Sequence, residues 1–254
     1  MASSSSVLFR INNEELGNIF LYLKKRGDNI ENKIYIYYLE ISNTFDANKF
    51  NKLLLFASEE KREKIQRFRM NIDKKLSLYA EIIIKTIIFK KLGIKPEKIT
   101  WEKNKYGKPF LENEKDFHFN LSHTKNAIVV AVSKNYVGID IEKNKIAMLE
   151  ISERFFTKSE VAYITKSEIN INKRFYEIWT KKEAYSKYKG KGLSMSLNKI
   201  NVLSNRSFQI QTFEKNGYII SVCSKCVSNK YEIIELYEDK LEAEAFKIIG
   251  ISSA

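Results

Sequence analysis

Apolar residues recur along the chain with two different periods, and these periods predict helices in some stretches and strands in others. Helical spacing occurs over 47–68, 72–92 and 172–189, and Gly93 and Gly190 follow the last two. Asp73 is the predicted cap of the second helix, Thr157 has the spacing of a capping box, and a short helix is predicted near 148–156. β-Branched and aromatic runs predict strands over 33–39, 99–102, 117–121, 127–132, 136–142, 199–203, 208–213, 218–223 and 231–236.

The order of these elements predicts the fold class. Each half of the chain is helix-rich first and strand-rich afterwards, which favours an α+β fold with largely antiparallel sheets over a βα-alternating one. The pair Arg67-Phe68 precedes two lysines at the same offset as the pair Arg174-Phe175 does. This faint echo is consistent with a two-fold internal repeat.

Length and composition narrow the class further. The chain has 254 residues, 44% of them hydrophobic, with nine Gly and two Pro, so one large domain or two small ones are expected without long linkers. Residues 1–6 are low-complexity and are excluded. No secretory signal is visible, and the longest apolar run, near 82–89, is interrupted by Lys85. We therefore expect a cytoplasmic protein without a membrane span.

The net charge is compatible with several classes of partner, and the cysteine content bears on metal binding. The formal net charge of +13 suits nucleic acid, a phosphate-rich small molecule or an acidic protein. Cys223 and Cys226 form one C-x-x-C without a second pair, and a structural zinc site normally needs four ligands. We interpret both as incidental thiols.

The segment 138–142 carries the first candidate chemistry. In a strand, Asp140 and Glu142 project from one face roughly 6.5–7 Å apart, a separation that suits a shared Mg²⁺ ion. The alternative is a surface strand with two solvated acids.

A helix and a strand end supply further candidates. Glu183 and Lys187 share a helical face with Trp179, although an ordinary Glu–Lys pair beside a core tryptophan has the same spacing. Ser122 and His123 end a strand and could bind phosphate. A serine hydrolase has no support because no G-x-S-x-G occurs, and P-loop, Rossmann, RNP and zinc-finger motifs are also absent.

Taken together, the motifs resemble the Sfp-type 4′-phosphopantetheinyl transferases of the W-x-x-K-E-A subgroup. The resemblance covers about 53–197, and its motifs occur in the family's order: Y-G-K-P at 106–109, F-N-L-S-H at 119–123, V-G-I-D-I-E at 137–142, R-F-F at 154–156, and W-T-K-K-E-A at 179–184 leading through Lys187 to G-K-G-L at 190–193.

The resemblance implies an enzyme that transfers the phosphopantetheine arm of coenzyme A to a serine of an acidic apo acyl or peptidyl carrier protein and releases 3′,5′-ADP. It also implies that this transfer depends on Mg²⁺, with Mn²⁺ as an alternative ion. It implies two similar α+β halves related by a pseudo-two-fold axis, 7–133 and 134–254, in a monomer that binds neither nucleic acid nor membrane. The implied site residues are Asp140, Glu142 and Glu183 for the metal; Glu183, Lys187 and Lys182 for catalysis; and Lys61, Lys64, Ser77, Tyr106, Gly107, Lys108, Pro109, Ser122 and His123 for coenzyme A.

Three alternatives remain open at this level. The family commonly has Arg where this chain has Leu76, so the phosphate site would use Lys64, Lys74 or Lys75 instead. The base that activates the carrier serine is Glu183 or a metal-bound water. The rival functions are a nucleic-acid-binding protein and a relative that docks a carrier without transfer.

Overall fold

The computed structural model describes residues 33–166, 168–204, 207–225 and 230–251. Its strands are β1 (Lys33–Glu40), β2 (Trp101–Lys103), β3 (Pro109–Leu111), β4 (His118–Thr124), β5 (Ala127–Ser133), β6 (Val137–Lys143), β7 (Gln209–Lys215), β8 (Tyr218–Ser224) and β9 (Lys230–Leu236). Its α-helices are α1 (Ala47–Leu53), α2 (Glu59–Gln66), α3 (Asn71–Leu92), α4 (Leu149–Phe155), α5 (Lys158–Thr165), α6 (Ile171–Lys189) and α7 (Glu238–Ile249).

These elements form two compact units, whose described residues are 33–99, 126–130 and 230–251 in the first and 100–125, 131–166, 168–204 and 207–225 in the second. The predicted halves, 7–133 and 134–254, stay a prediction, and residues 7–32 and Cys226 lie outside the described residues. Within the described ranges, no helix combines the length and apolar character needed to cross a membrane.

The first unit is built around β1. This strand pairs in parallel with β9, with Leu39 opposite Leu236, and β5 lies on its other side. Residues 34–39 are all buried, as expected for a strand covered on both faces. Helix α3 contributes a second buried surface that includes Leu78, Ile82 and Ile83.

Helix α7 packs against α3 within the same unit. The ammonium of Lys75 lies between them, where it donates to the carbonyl oxygens of Ser42 and Thr44 at 2.9 Å and pairs with Glu238 at 2.5 Å. Lys75 is 4% exposed. It is therefore occupied by protein groups and does not fit the role of a substitute phosphate ligand.

The second unit contains the antiparallel sheet β6-β8-β7, with α6 packed on β6 and β8. Gly138 makes this packing close: a Cβ atom built on it would lie 2.1 Å from the carbonyl oxygen of Ala184. The Thr157 capping box at the start of α5 is confirmed. The α+β class is also confirmed: β2–β3, β6–β8 and β7–β8 pair antiparallel, and β1–β9 is a parallel pair.

Two local predictions were wrong, and one helix was missed. The stretch 199–203 is not a strand, since a short 3₁₀ helix at Leu197–Lys199 is followed by a turn. Asp73 is in the first turn of α3, and Met70 occupies the cap position. Helix α7 was not predicted at all, because the tail was interpreted as strands.

Candidate active site

Strand β6 places two carboxylates on one face, as predicted. Asp140 is only 4% exposed and Glu142 is half-buried. Ile139 and Ile141 point to the opposite face because side chains alternate along a strand. The burial of Asp140 contradicts the alternative of a surface strand with two solvated acids.

Strand β4 holds these carboxylates in place. The hydroxyl of Ser122 donates to Asp140 Oδ1 at 2.8 Å, and the hydroxyl of Thr124 donates to Glu142 Oε2 at 3.0 Å. Asn120 accepts from the backbone N–H of Ile139 at 2.8 Å. Two hydroxyls with the same spacing of two residues thus orient the two acids.

Helix α6 brings a cation to the same carboxylate. Lys187 Nζ lies 2.7 Å from Asp140 Oδ1 and donates to Ser122 Oγ at 2.8 Å. One turn earlier on the same face is Glu183, which is half-buried. Trp179 anchors the helix to the end of α4, since its ring lies 5.8 Å from that of Phe155 and 6.3 Å from that of Phe156, measured between centroids.

Asp140 Oδ2 is the unexplained atom of this cluster. It is buried and has no hydrogen-bond partner among the described residues, although Oδ1 of the same carboxylate has two. A buried carboxylate oxygen without a partner costs stability. Such an atom is available to a bound cation.

The pKa values of the other two acids, Glu142 and Glu183, are both raised by burial and by the charge of Asp140. Burial raises the pKa of Glu142, and the negative charge of Asp140 raises it further. Burial also raises the pKa of Glu183; Asp140 and Glu142 add to this effect, whereas the ammonium of Lys187 opposes it. These mutual effects indicate that the carboxylates of β6 and α6 share one electrostatic environment.

These residues fit a hard divalent cation by their chemistry, because Mg²⁺ prefers carboxylate oxygens and one such oxygen is buried without a partner. In the side-chain conformations present, Lys187 neutralises Asp140. Across the described ranges, no group of three or more His, Cys, Asp or Glu side chains is arranged to hold a metal ion.

The structure places Lys182 away from this cluster. Its side chain is fully buried, pairs with Glu160 at 2.7 Å, and donates to the carbonyl oxygens of Leu197 and Ile200 at 2.8 and 2.7 Å. These partners use its donor capacity. The prediction that Lys182 contacts a phosphate therefore does not fit, and its place in the fold is structural.

The Y-G-K-P turn lies in the same unit. Tyr106 is exposed, Gly107 has a φ of +87° that favours glycine, and Pro109 begins β3. Lys108 Nζ donates to the carbonyl oxygens of Val137 and Lys187. Burial lowers the pKa of Lys108 to about 8.

The remaining predicted contacts to coenzyme A lie on three different elements and differ in burial. Lys61 and Lys64 lie on α2 in the first unit, and burial lowers the pKa of Lys61. Ser77 is buried on α3, also in the first unit. His123 is exposed on β4 in the second unit, next to Ser122. Their roles stay predictions.

Comparison with known proteins identifies the family. A model described as "4'-phosphopantetheinyl transferase superfamily" matches residues 136–235, and one described as "4'-phosphopantetheinyl transferase, N-terminal" matches 45–135. The chain is 32% identical over 207 residues to 4'-phosphopantetheinyl transferase Sfp of Bacillus subtilis, covering 76% of this chain and 92% of that protein. The chain belongs to the Sfp-type 4′-phosphopantetheinyl transferases.

Two further relatives agree with this assignment. The 4'-phosphopantetheinyl transferase gsp of Aneurinibacillus migulanus is 34% identical over 209 residues, which cover 82% of this chain and 81% of the relative. The 4'-phosphopantetheinyl transferase psf-1 of Bacillus pumilus is 37% identical over 168 residues, which cover 65% and 72%. As a member of this transferase family, the protein is an enzyme, and its two family matches fit a two-half fold.

Sequence reasoning missed one residue of the acidic cluster and the partner of a buried lysine outside it. Thr124 has the same two-residue offset from Ser122 that Glu142 has from Asp140, so strand periodicity could have found it. Glu160 was recognised only as part of a capping box, although it also neutralises Lys182. No sequence pattern indicated that pairing, because it joins different helices.

Proposed function

We propose that this enzyme transfers the 4′-phosphopantetheine arm of coenzyme A to a serine hydroxyl of an acidic apo carrier protein, with Mg²⁺ as its metal and 3′,5′-ADP as the leaving product. The names of its relatives support the reaction class. The observation that carries the proposal is Oδ2 of Asp140, which is buried and finds no hydrogen-bond partner in the part of the chain that the structure describes, while Ser122 and Lys187 hold the same carboxylate through its other oxygen.

The reaction requires one bond exchange at phosphorus. The serine oxygen bonds to the phosphorus that carries pantetheine, the P–O bond to the second phosphate breaks, and the serine proton passes to a base. Asp140, Glu142 and Glu183 would hold Mg²⁺, which would neutralise charge on the pyrophosphate when bound. Lys187, whose ammonium contacts Asp140 and Ser122, would supply a positive charge that stabilises the departing phosphate.

Glu183 is our candidate for the base. Burial and the neighbouring acids raise its pKa, so its carboxylate binds a proton more readily than a solvated one does. A metal ligand is a weakened base, however, and a water molecule held at the site is the competing route. Glu183→Gln should abolish transfer by both routes, because it removes the carboxylate that would act as the base or would hold the metal beside the water.

The basic surface suits both substrates. A net charge of +13 attracts the phosphates of coenzyme A and steers an acidic carrier at long range. Tyr106, Gly107 and Pro109 of the turn, with Ser122 and His123, are the proposed contacts to coenzyme A within the second unit.

The test is intact-mass spectrometry of an apo carrier protein incubated with coenzyme A, Mg²⁺ and enzyme. The wild type should add one phosphopantetheine group, and Asp140→Asn should add none while keeping the wild-type circular dichroism spectrum. Asp116→Asn makes the same chemical change at an exposed position of the same unit and should transfer normally. Normal labelling by a folded Asp140→Asn enzyme would contradict the proposal.

A further inference from the structure

The ammonium of Lys108 joins the two elements that carry the acidic cluster. It donates to the carbonyl oxygen of Lys187 at 2.6 Å, in the last turn of α6, and to that of Val137 at 3.0 Å, at the start of β6. Helix α6 carries Glu183, and β6 carries Asp140. One side chain thus bridges the backbones of both elements.

Asn104 makes a second link from the same turn. Its side-chain N–H donates to the carbonyl oxygen of Gly190, just beyond α6, at 2.9 Å. Its side-chain oxygen accepts from the N–H groups of Tyr106 and Lys108 at 2.9 and 3.0 Å, which closes the turn. A Cβ atom on Gly190 would lie 2.8 Å from Asn104 Nδ2, so the turn sits directly on the helix end.

The chemistry of the helix end explains why a cation is placed there. The last carbonyl groups of an α-helix have no regular i+4 N–H partner and carry partial negative charge. The carbonyl of Lys187 accepts from the N–H of Gly190 at 3.2 Å, and its second lone pair can accept from an ammonium. An ammonium that binds one of these carbonyls is favourable, and its second bond to Val137 O fixes where along β6 the helix ends.

Lys187 connects the bond from Lys108 to the acidic cluster through its backbone carbonyl and its side-chain ammonium. Its carbonyl is held by Lys108, and its own ammonium reaches Asp140 at 2.7 Å. A slide of α6 by one residue, about 1.5 Å of rise, would break both contacts. Gly138 sets how closely the helix approaches β6, and Lys108 sets its position along the strand.

We propose that Lys108 is a positioning residue that, with Asn104, holds α6 on β6 at the height where the ammonium of Lys187 reaches Asp140 and Glu183 lies one turn earlier on the same helix face. This inference rests on the proposed transfer reaction. It replaces the contact to coenzyme A that the family resemblance implied for the ammonium of Lys108, because two of its donor positions are already directed at backbone carbonyls.

The experiment compares Lys108→Met with Lys103→Met, a matched change at an exposed lysine of β2. In steady-state carrier labelling, Lys108→Met should lower kcat by about ten- to a hundredfold, since displacement by about 1 Å has effects of that size. Its KM for coenzyme A should stay within about threefold of the wild-type value. Asn104→Ala should change kcat in the same direction, and Lys103→Met should leave both constants unchanged.

Hydrogen exchange gives a readout independent of transfer. The peptide covering the end of α6, residues 183–190, should exchange faster in Lys108→Met than in wild type or Lys103→Met. A raised KM for coenzyme A with unchanged kcat and unchanged exchange would overturn the proposal and restore a substrate contact. A wild-type enzyme that labels no carrier would refute the proposed function instead, and the exchange data would still decide the role of Lys108.

Discussion

The close packing of α6 on β6 at Gly138 leaves no room for a side chain there. A Cβ atom on Gly138 would lie 2.1 Å from Ala184 O, 2.3 Å from Tyr188 N and 2.8 Å from Tyr188 Cα. These are backbone atoms of α6 and cannot rotate away. To restore an ordinary contact of about 3.4 Å, the helix must move from β6 by about 1.3 Å.

The substitution Gly138→Ala should therefore damage both stability and catalysis. Overpacking of this kind costs about 1–3 kcal/mol in the free energy of unfolding. Because α6 carries Glu183 and β6 carries Asp140, a displacement of that size should also lower kcat for carrier labelling by about 100-fold. Thermal unfolding and labelling kinetics, measured on the same preparation, separate the two effects.

Gly93→Ala is the matched control. Gly93 has a φ of +72° at the end of α3 and has no atom near its Cβ position, so the same methyl group adds backbone strain without displacing α6. This variant should lose about 1–2 kcal/mol of stability and keep its kcat. A Gly138→Ala enzyme with wild-type stability and kcat would refute the packing argument.

Three further predictions concern other parts of the molecule. Lys182→Met should destabilise the fold by about 3–5 kcal/mol in chemical unfolding. Adding Glu160→Gln removes the unpaired charge but keeps an amide oxygen that can accept from the backbone N–H of Thr157 or Val202, so it should recover part of this loss; two equal, additive losses would contradict a buried pair. Burial raises the pKa of Cys223 to about 12, so about one thiol in 10⁴ is ionised at pH 8. In a Cys226→Ser background, the rate of Cys223 alkylation, followed by mass spectrometry, should rise about tenfold per pH unit while the protein stays folded. Fast alkylation at pH 8 would contradict this burial. Carrier labelling should slow as ionic strength rises from about 0.01 to 0.15 M, because the Debye length falls from about 30 to 8 Å; a constant rate would remove the steering argument.

The sequence was sufficient for elements that follow a local periodicity. The strand with Asp140 and Glu142 and the helix with Glu183 and Lys187 were predicted within one residue of their ends, since alternation, helical spacing and a terminal Gly190 are local signals. Helix α7 was missed although Leu241, Ala245 and Phe246 recur at helical spacing, because the tail was interpreted as strands.

Local signals do not decide which lysine of α6 belongs to the site. Lys182 and Lys187 look alike in the sequence, yet a five-residue offset on a helix turns them to different sides, one towards Glu160 and the other towards Asp140. The choice between a catalytic and a structural lysine is therefore made by partners from other elements. Lys108 illustrates this further, because its acceptors are backbone carbonyls, which leave no mark in the sequence.

The most direct test of the account is metal binding by the acids of β6 and α6. Electron paramagnetic resonance titration of Mn²⁺, in the presence of coenzyme A, should show one bound ion in the wild type and at least tenfold weaker binding in Asp140→Asn, Glu142→Gln and Glu183→Gln. Wild-type Mn²⁺ affinity in Glu183→Gln together with Asp140→Asn would contradict the claim that these carboxylates hold one cation between them.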